Sequence, residues 1–534
     1  MEERRKVLVI GLDGASWNVI KPLVKEGRLP TIEKLMQNGC YGDLESCIPA
    51  MTFPAWKCYS TGKNPGKLGV YSFRNVDVDK HEFGLYSSIS FKSEELWDYL
   101  GENNITCGVL DMPTTYPCRT INGVMISHGA PRPWGYAYPR ELEKELKARF
   151  NYKIDPDYLP QVNKDAAVPS TRSIIEQRFD VAKYILQEFN PSFFHLTIFH
   201  IDPIQHYYWK DMEENDPKYG KVIEDFWALI DSRIGSLLEE LGDEKTYVFL
   251  MSDHGQTAVK ATFHIAKWLM QRDMLPMKRH RSALYAILSG LGQSRDKVFS
   301  IVGKTRTAWL VKFFIPKHTR QEILGLFPTE QDDAGQDTLL RSIDWLKTRV
   351  IPTPHGPVYL NRAAFASEKQ FEEFKNDLIT ELKAIENPRT GEKLAKEVYR
   401  REEIYWGKHV DQAPDIVILP NEGYEIASSA VSRQLWDYSA SGWSAVHRLQ
   451  GIFLAMGPEI KKGIEIQGAR IYDLAPTILH IFGIPIPKDI DGKVLKEIFR
   501  EDSTLAKRET EYVEVTERAR VKGRIREIKG LGKI

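Results

Sequence analysis

KVLVIGLDG, residues 6–14, is a short run of aliphatic and β-branched residues that stops abruptly at an acid and a glycine. A run of this length with no polar alternation reads as a strand buried on both faces. The Asp-Gly that ends it is a turn signal. The same form recurs in TCGVLDMP (106–113), FFHLTIFHIDP (193–203), TYVFLMSDHG (246–255), DIVILP (415–420) and GIFLAMGP (451–458). Between these runs lie amphipathic stretches such as RLPTIEKLMQNG and VIEDFWALIDSRIGSLLEELG, with apolar residues three and four apart. Strand alternating with helix over hundreds of residues predicts an α/β fold around a mostly parallel sheet.

The runs share a second property. Asp13, Asp202 and the pair Asp253-His254 each fall at the C-terminal end of a predicted strand. Open α/β sheets place their ligand sites there. The spacing of Asp202 and His206 in HIDPIQHYYW brings both side chains to one side if a helical turn begins after Pro203. His447 lies in SGWSAVHRLQG, a glycine- and serine-flanked loop before a predicted strand. Taken singly, DG is a common turn and DHG a common strand exit. Together, three carboxylates and three imidazoles are enough donors for two ions, and a mixed oxygen and nitrogen set suits zinc or manganese better than magnesium or calcium.

Composition sets the surroundings of such a site. The 534 residues are 42% hydrophobic and 27% charged, and 73 basic residues balance 73 acidic ones, so no global charge points to nucleic acid or membrane. The five cysteines, Cys40, Cys47, Cys58, Cys107 and Cys118, form no CxxC pair and read as reduced thiols. In MEERRKVLVIGLDG the apolar run is too short for a signal sequence or a membrane span, so the cytoplasm is the expected compartment. Residues 267–342 break the rhythm with basic helical text and are predicted to be an inserted helical cap. Residues 1–266 and 343–497 are then the core, and 498–534 a charged tail. From Arg518 onward the tail carries seven basic residues against Glu527 alone, as in a solvated extension or a contact with nucleic acid or membrane.

IPAMTFPAW, residues 48–56, reads by itself as a helix entry, with Thr52 a competent N-cap and Pro54 tolerated in the first turn. Its wider context changes that. The series VIGLDG, PAMTFPAW followed by STGKNPGKLGVYSF, IDPIQHYYW, SDHG, and AVHRLQGIFLAMGP followed by IYDLAPTILHIFGIP resembles the alkaline phosphatase superfamily. The resemblance is to its type I phosphodiesterase/nucleotide pyrophosphatase branch, particularly prokaryotic proteins described as predicted phosphohydrolases or phosphomutases, and it covers most of residues 6–495. It implies a three-layer alkaline-phosphatase-like sandwich and a di-metal centre. Asp202, His206 and His447 would hold one ion, and Asp13, Asp253 and His254 the other. The second ion would also coordinate Thr52, which resembles the family's nucleophile.

The chemistry is coherent on its own terms. Metal coordination activates a threonine hydroxyl that is otherwise a poor nucleophile. A helix N-terminus just after it favours an alkoxide and an incoming phosphate. Threonine rather than serine resembles the phosphodiesterase branch, and MTFPAW lacks the C/S-x-P-x-R signature of sulfatases. One position departs from the pattern. Where nucleotide pyrophosphatases of this branch present an asparagine about twenty residues after the nucleophile, this chain has Phe73. Asn75, Arg74, Lys63 and Lys67 are the nearby substitutes, with Asn75 and Lys67 put forward as substrate contacts. His195 and His200 read as structural, whereas His264 and His355 lie in loop-like contexts near the expected cleft. GKNPGK lacks the spacing of a phosphate-binding P-loop.

The resulting expectation is a metal-dependent phosphohydrolase acting on a small phosphate-containing substrate, at a phosphodiester or pyrophosphate bond, through phospho-Thr52. Phosphomutase or phosphotransferase chemistry uses the same residues. A non-catalytic metal-containing protein recruited by its basic tail is the alternative of a different class.

Overall fold

The computed structural model describes residues 5–91, 93–129, 134–241, 245–278, 339–428, 432, 434–440 and 442–514. Most of the expected cap and the basic stretch from Arg518 lie outside the described residues. A nine-stranded sheet organises the chain, in the spatial order Ile464–Arg470, Cys40–Glu45, Gln450–Met456, Thr246–Met251, Lys6–Leu12, Phe193–Ile198, Cys107–Met112, Gly123–Ser127 and Ala137–Tyr138. The KVLVIGL strand sits at its centre, parallel to both neighbours, with Val9 opposite His195 on one side and Phe249 on the other. Gln450–Met456 runs antiparallel to both strands flanking it.

The unbroken apolar runs follow from burial on both faces. Val7, Val9, Tyr247, Phe249 and Val109 turn to one side, where the helices Thr52–Thr61, Leu96–Glu102 and Leu474–Phe482 cover them. Leu8, Ile10, Leu12, Val248, Leu250 and Leu196 turn to the other, against Trp17–Lys25, Pro30–Asn38, Lys164–Phe189, Ile201–Glu213 and Val222–Leu241. The alternation has the period of two of a pleated strand, and it makes three layers. Each aliphatic side chain so enclosed contributes about 1.5–3 kcal/mol of transfer free energy.

One apolar run is inverted within the mostly parallel sheet, and another lies outside it. GIFLAMGP supplies the inverted strand just described. DIVILP forms Ile416–Pro420, which belongs to a separate four-stranded sheet with Val350–Pro352, Pro357–Leu360 and Ala395–Arg400. That sheet, the helix Glu368–Ala384 and a three-stranded sheet built on Ala261–His264 share a core of their own, containing Phe263, Trp268, Ile351, Leu378, Ile418 and Trp436. Hydrophobic periodicity marks a strand as buried but does not say beneath which layer. Among the described residues no helix is long and apolar enough to cross a membrane.

Gly11 is a glycine of necessity. A Cβ built there stands 2.3 Å from Cη2 of Trp56, a fully buried ring that lies across the central strand. Gly11→Ala is therefore expected to destabilise the protein by about 1–3 kcal/mol, the usual cost of overpacking. A lowered denaturant midpoint is the measurement, and an unchanged midpoint contradicts the packing described.

His195, as the sequence suggests, is structural. Its ring is fully buried, with Nδ1 3.0 Å from the Tyr59 hydroxyl and Nε2 2.8 Å from Thr197 Oγ1. Burial pushes its pKa down to about 3. Below the ordinary value near 6.5 the unfolded chain takes up a proton that the folded chain refuses. The associated stability is complete above pH ~6.5 and declines as the pH falls toward 3, by up to about 1.4 kcal/mol per pH unit. Unfolding free energies measured between pH 7 and 4 should fall less steeply in His195→Gln than in the parent protein.

Candidate metal centre

Because the central strands run parallel, their C-terminal ends share one edge of the sheet. Asp13 directly follows Lys6–Leu12, and Ser252 separates Asp253 from Thr246–Met251. After Phe193–Ile198 the chain enters the helix Ile201–Glu213, which starts before Pro203 and includes it. Asp202 and His206 then stand one turn apart on it, with Oδ2 3.3 Å from Nε2. The inverted strand brings His447 to the same edge, because its N-terminal end lies where its neighbours' C-terminal ends do. His447 belongs to a short strand, Ala445–Arg448, opposite Gln256 of Gly255–Ala258. Gly14 completes the turn with φ +67°, and a Cβ there would lie 2.7 Å from Asp202 Oδ1.

Six residues read from the sequence thus converge as two groups of three, Asp202, His206 and His447 in one and Asp13, Asp253 and His254 in the other. Within each group one donor atom per residue lies within 4.8 Å of the others. Five of the six are buried and His447 is partly buried, and the rings of His254 and His447 stack with centroids 3.6 Å apart.

Each of the three imidazoles has its Nδ1 against a backbone carbonyl: His206 with Ala445 at 2.7 Å, His447 with Ala50 at 2.9 Å and His254 with Gly255 at 3.2 Å. A carbonyl only accepts, so each Nδ1 carries the proton and each Nε2 presents a lone pair. His206 Nε2 and His447 Nε2 face one another at 3.1 Å, an approach of two lone pairs that a shared cation would relieve. This is the tautomer that ligating histidines adopt when a carbonyl orients them.

Electrostatics point the same way. Burial, then Asp253 and Asp202, raises the Asp13 pKa well above the usual carboxylate range. Burial moves Asp253 up to about 6, against the pull of His254. Asp202 is held low because His206, His254 and Gln256 outweigh its burial. His447 is pushed far down by burial, then by His254, His206 and His355. Asp13 Oδ1 and Asp253 Oδ2 are buried without a hydrogen-bond partner among the described residues. Buried carboxylates are normally paired or bound to metal. The orphaned oxygens and the three free Nε2 lone pairs fit a divalent cation in each group.

Thr52 is the first residue of the helix Thr52–Thr61, one place inside its N-cap, Met51. Met51 supplies no side-chain cap and Pro54 has no N–H, so the first-turn donors next to the Thr52 hydroxyl are the N–H groups of Thr52 and Phe53, at the positive end of the helix dipole. Thr52 Oγ1 lies 3.3 Å from His254 Nε2.

Residues that sequence reasoning passed over hold the arrangement. Trp56 Nε1 donates to Asp13 Oδ2 at 3.0 Å and Gly14 N to Asp253 Oδ1 at 3.2 Å. Gln256 donates to Asp202 Oδ1 and accepts at 3.0 Å from Gln205, whose own oxygen accepts from Trp227 Nε1 at 3.2 Å. Trp56, Gln205 and Gln256 all stand within four residues of a flagged position, and that adjacency was the available signal.

The two proposed substrate contacts do not join this group. Lys67 Nζ donates to the Asp489 carbonyl at 2.7 Å and to Asp491 Oδ1 at 2.6 Å. Asn75 is exposed on a hairpin strand, Arg74–Asp77. Lys63 is engaged by Ser93 and Asp489, and Phe73 packs on Phe53, beside Thr52, with centroids 4.9 Å apart. His264 is buried at the end of its strand, and burial lowers its pKa to about 4.

No curated protein matches the sequence. Among solved structures the fold is similar to an inactive threonine-to-alanine form of murine ectonucleotide pyrophosphatase / phosphodiesterase 5 in complex with AMP. That match has 15% identity and a TM-score of 0.50, over 90% of this chain and 95% of the other. It is also similar to phosphonoacetate hydrolase from Sinorhizobium meliloti 1021 in complex with phosphonoacetate, at 12% identity and a TM-score of 0.54, over 88% and 94% of the two chains. The family model for type I phosphodiesterase / nucleotide pyrophosphatase matches residues 7–311. With the alkaline-phosphatase-like fold it shares and more than half its length under that model, the chain belongs to the type I phosphodiesterase / nucleotide pyrophosphatase family of phosphoric ester hydrolases.

Proposed function

We propose that this protein cleaves a phosphodiester or pyrophosphate bond of a small substrate by way of a covalent phospho-Thr52. The observation that carries the reading is the Thr52 hydroxyl at a helix N-terminus, 3.3 Å from His254 Nε2 and beside two donor triads. Asp202, His206 and His447 would hold one divalent cation, and Asp13, Asp253 and His254 the other, with Thr52 beside the second. Bound there, zinc, or manganese in its place, would supply positive charge to the attacking and departing oxygens of an in-line displacement.

The chain's own groups do the rest. Thr52 Oγ1 forms a bond to phosphorus as the bond to the leaving oxygen breaks, and water later releases the phosphoryl group from Thr52. The first-turn N–H groups of Thr52–Thr61 favour the alkoxide and the phosphoryl oxygens. Trp56 fixes the Asp13 carboxylate, while Gln256 and Gln205 fix Asp202, so the triads keep their shape through turnover. The murine relative's inactive form being a threonine-to-alanine variant supports a threonine in this role. Five cysteines without a disulfide support a reducing, cytoplasmic setting.

Thr52→Ala is expected to lower turnover of bis-p-nitrophenyl phosphate by roughly three orders of magnitude or more, with metal content by emission spectroscopy unchanged. Turnover that survives the substitution rules the phospho-threonine out. Chelation should abolish activity and zinc or manganese restore it. In Gln256→Ala the metal affinity should drop about 10–100-fold, read by competition with a chromophoric chelator.

A further inference from the structure

Beside His447 lies a small, partly open cavity that the chemistry above leaves unused. It has a volume of about 100 Å3 and lies between the metal edge of the sheet and the separately packed unit. Pro49 and Ala50, three and two residues before Thr52, line it together with His447. His355, Glu425, Lys396, Glu422 and Arg448 supply the rest of its polar and charged lining.

His355 is set there with some care. Its backbone adopts φ 64°, a left-handed conformation unusual outside glycine, and its N–H donates to the Ile426 carbonyl at 3.0 Å. Its ring is nearly parallel to that of His447, at 3° with centroids 5.2 Å apart. Glu425 Oε1 lies 3.2 Å from His355 Nδ1. A strained residue whose ring parallels a candidate metal-holding residue is the kind of outlier that marks a ligand contact.

We propose that this cavity receives the leaving group of the ester and selects a small, uncharged, hydroxyl-bearing alcohol of about three carbons. The inference rests on the hydrolase reading above. Size supports it: the volume is far below the ≈ 300 Å3 and more of pockets for drug-sized ligands. Charge supports it as well. Two cations, Lys396 and Arg448, and two carboxylates, Glu422 and Glu425, share the lining, and the Arg448–Glu422 contact is 3.3 Å. A balanced lining of donors and acceptors satisfies hydroxyl groups, which both donate and accept, and gives a charged group no net attraction. His355 and Glu425 are the contacts through which the selection operates.

The test uses the full-length, metal-loaded protein and two diesters. Glycerophosphoglycerol has glycerol as its leaving alcohol, and bis-p-nitrophenyl phosphate has a larger aromatic one. His355→Ala and Glu425→Gln should each lower kcat/KM for the glycerol diester about tenfold more than for the aryl diester, with metal content unchanged. Calorimetry with Thr52→Ala gives a second readout, in which adding His355→Ala weakens glycerophosphoglycerol binding about tenfold. Equal losses on the two diesters, or an unchanged binding constant, overturn the cavity assignment while Thr52-dependent turnover still supports the hydrolase. Absence of Thr52-dependent turnover on both diesters overturns the hydrolase reading and the cavity assignment with it.

Discussion

The hydrogen bond from the Trp56 indole to Asp13 is the joint on which the rest of the centre depends. It requires Trp56 to lie across the central strand, which requires a glycine at position 11, and it fixes the helix that begins at Thr52 to the strand that ends at Asp13. Two elements from adjacent layers of the fold are thereby set to one another by a rigid ring rather than by flexible side chains. The indole has two rotatable side-chain bonds and is fully enclosed, so little entropy is lost in holding it. Thr52 inherits its position from that contact.

The same enclosure creates an electrostatic debt. Asp13, Asp202 and Asp253 stand close together away from water, and burial, reinforced by repulsion from neighbouring carboxylates, drives Asp13 and Asp253 toward their protonated forms. Protonation would leave three imidazoles whose Nδ1 protons are already committed to carbonyls, with lone pairs facing inward. Only a positive charge between them satisfies both sets at once. The framework is therefore poised for cations by its hydrogen bonds to the backbone, before any ligand arrives, and the glutamine chain from Trp227 through Gln205 and Gln256 to Asp202 extends that rigidity outward.

How much of this was legible follows from which interactions are local. Asp13, Asp202 and Asp253-His254 could be read because strand ends are punctuated in the sequence, and parallel strands send their ends to one edge. The Asp202 and His206 pair was visible as a helical spacing. His447 could be read only as a histidine in a glycine- and serine-flanked loop before a predicted strand: its arrival at the edge depends on Gln450–Met456 running against its neighbours, and its grouping with Asp202 and His206 came from the resemblance to a family. Lys67 and Asn75 were drawn from proximity to Thr52 in sequence. The residues that capture Lys67, Asp489 and Asp491, are over four hundred positions away, and nothing near position 67 announces them. DIVILP carried a correct strand signal into an unforeseen sheet, because a buried strand looks alike under either core.

The separate packing of that second unit bears on how the protein diversifies. The triads and Thr52 are held by the cores on the two faces of the nine-stranded sheet, whereas His355 and Glu425 hang from strands and turns whose apolar residues belong to the other core. Substitutions more than about 7–10 Å apart under different cores combine nearly independently, and His355, whose ring centre stands 5.2 Å from that of His447, is the exception. A lineage can thus remodel the Tyr424–Ala427 side, residue by residue, without disturbing the charge balance around Asp13. Reactivity and taste for substrate become separately heritable traits of one chain.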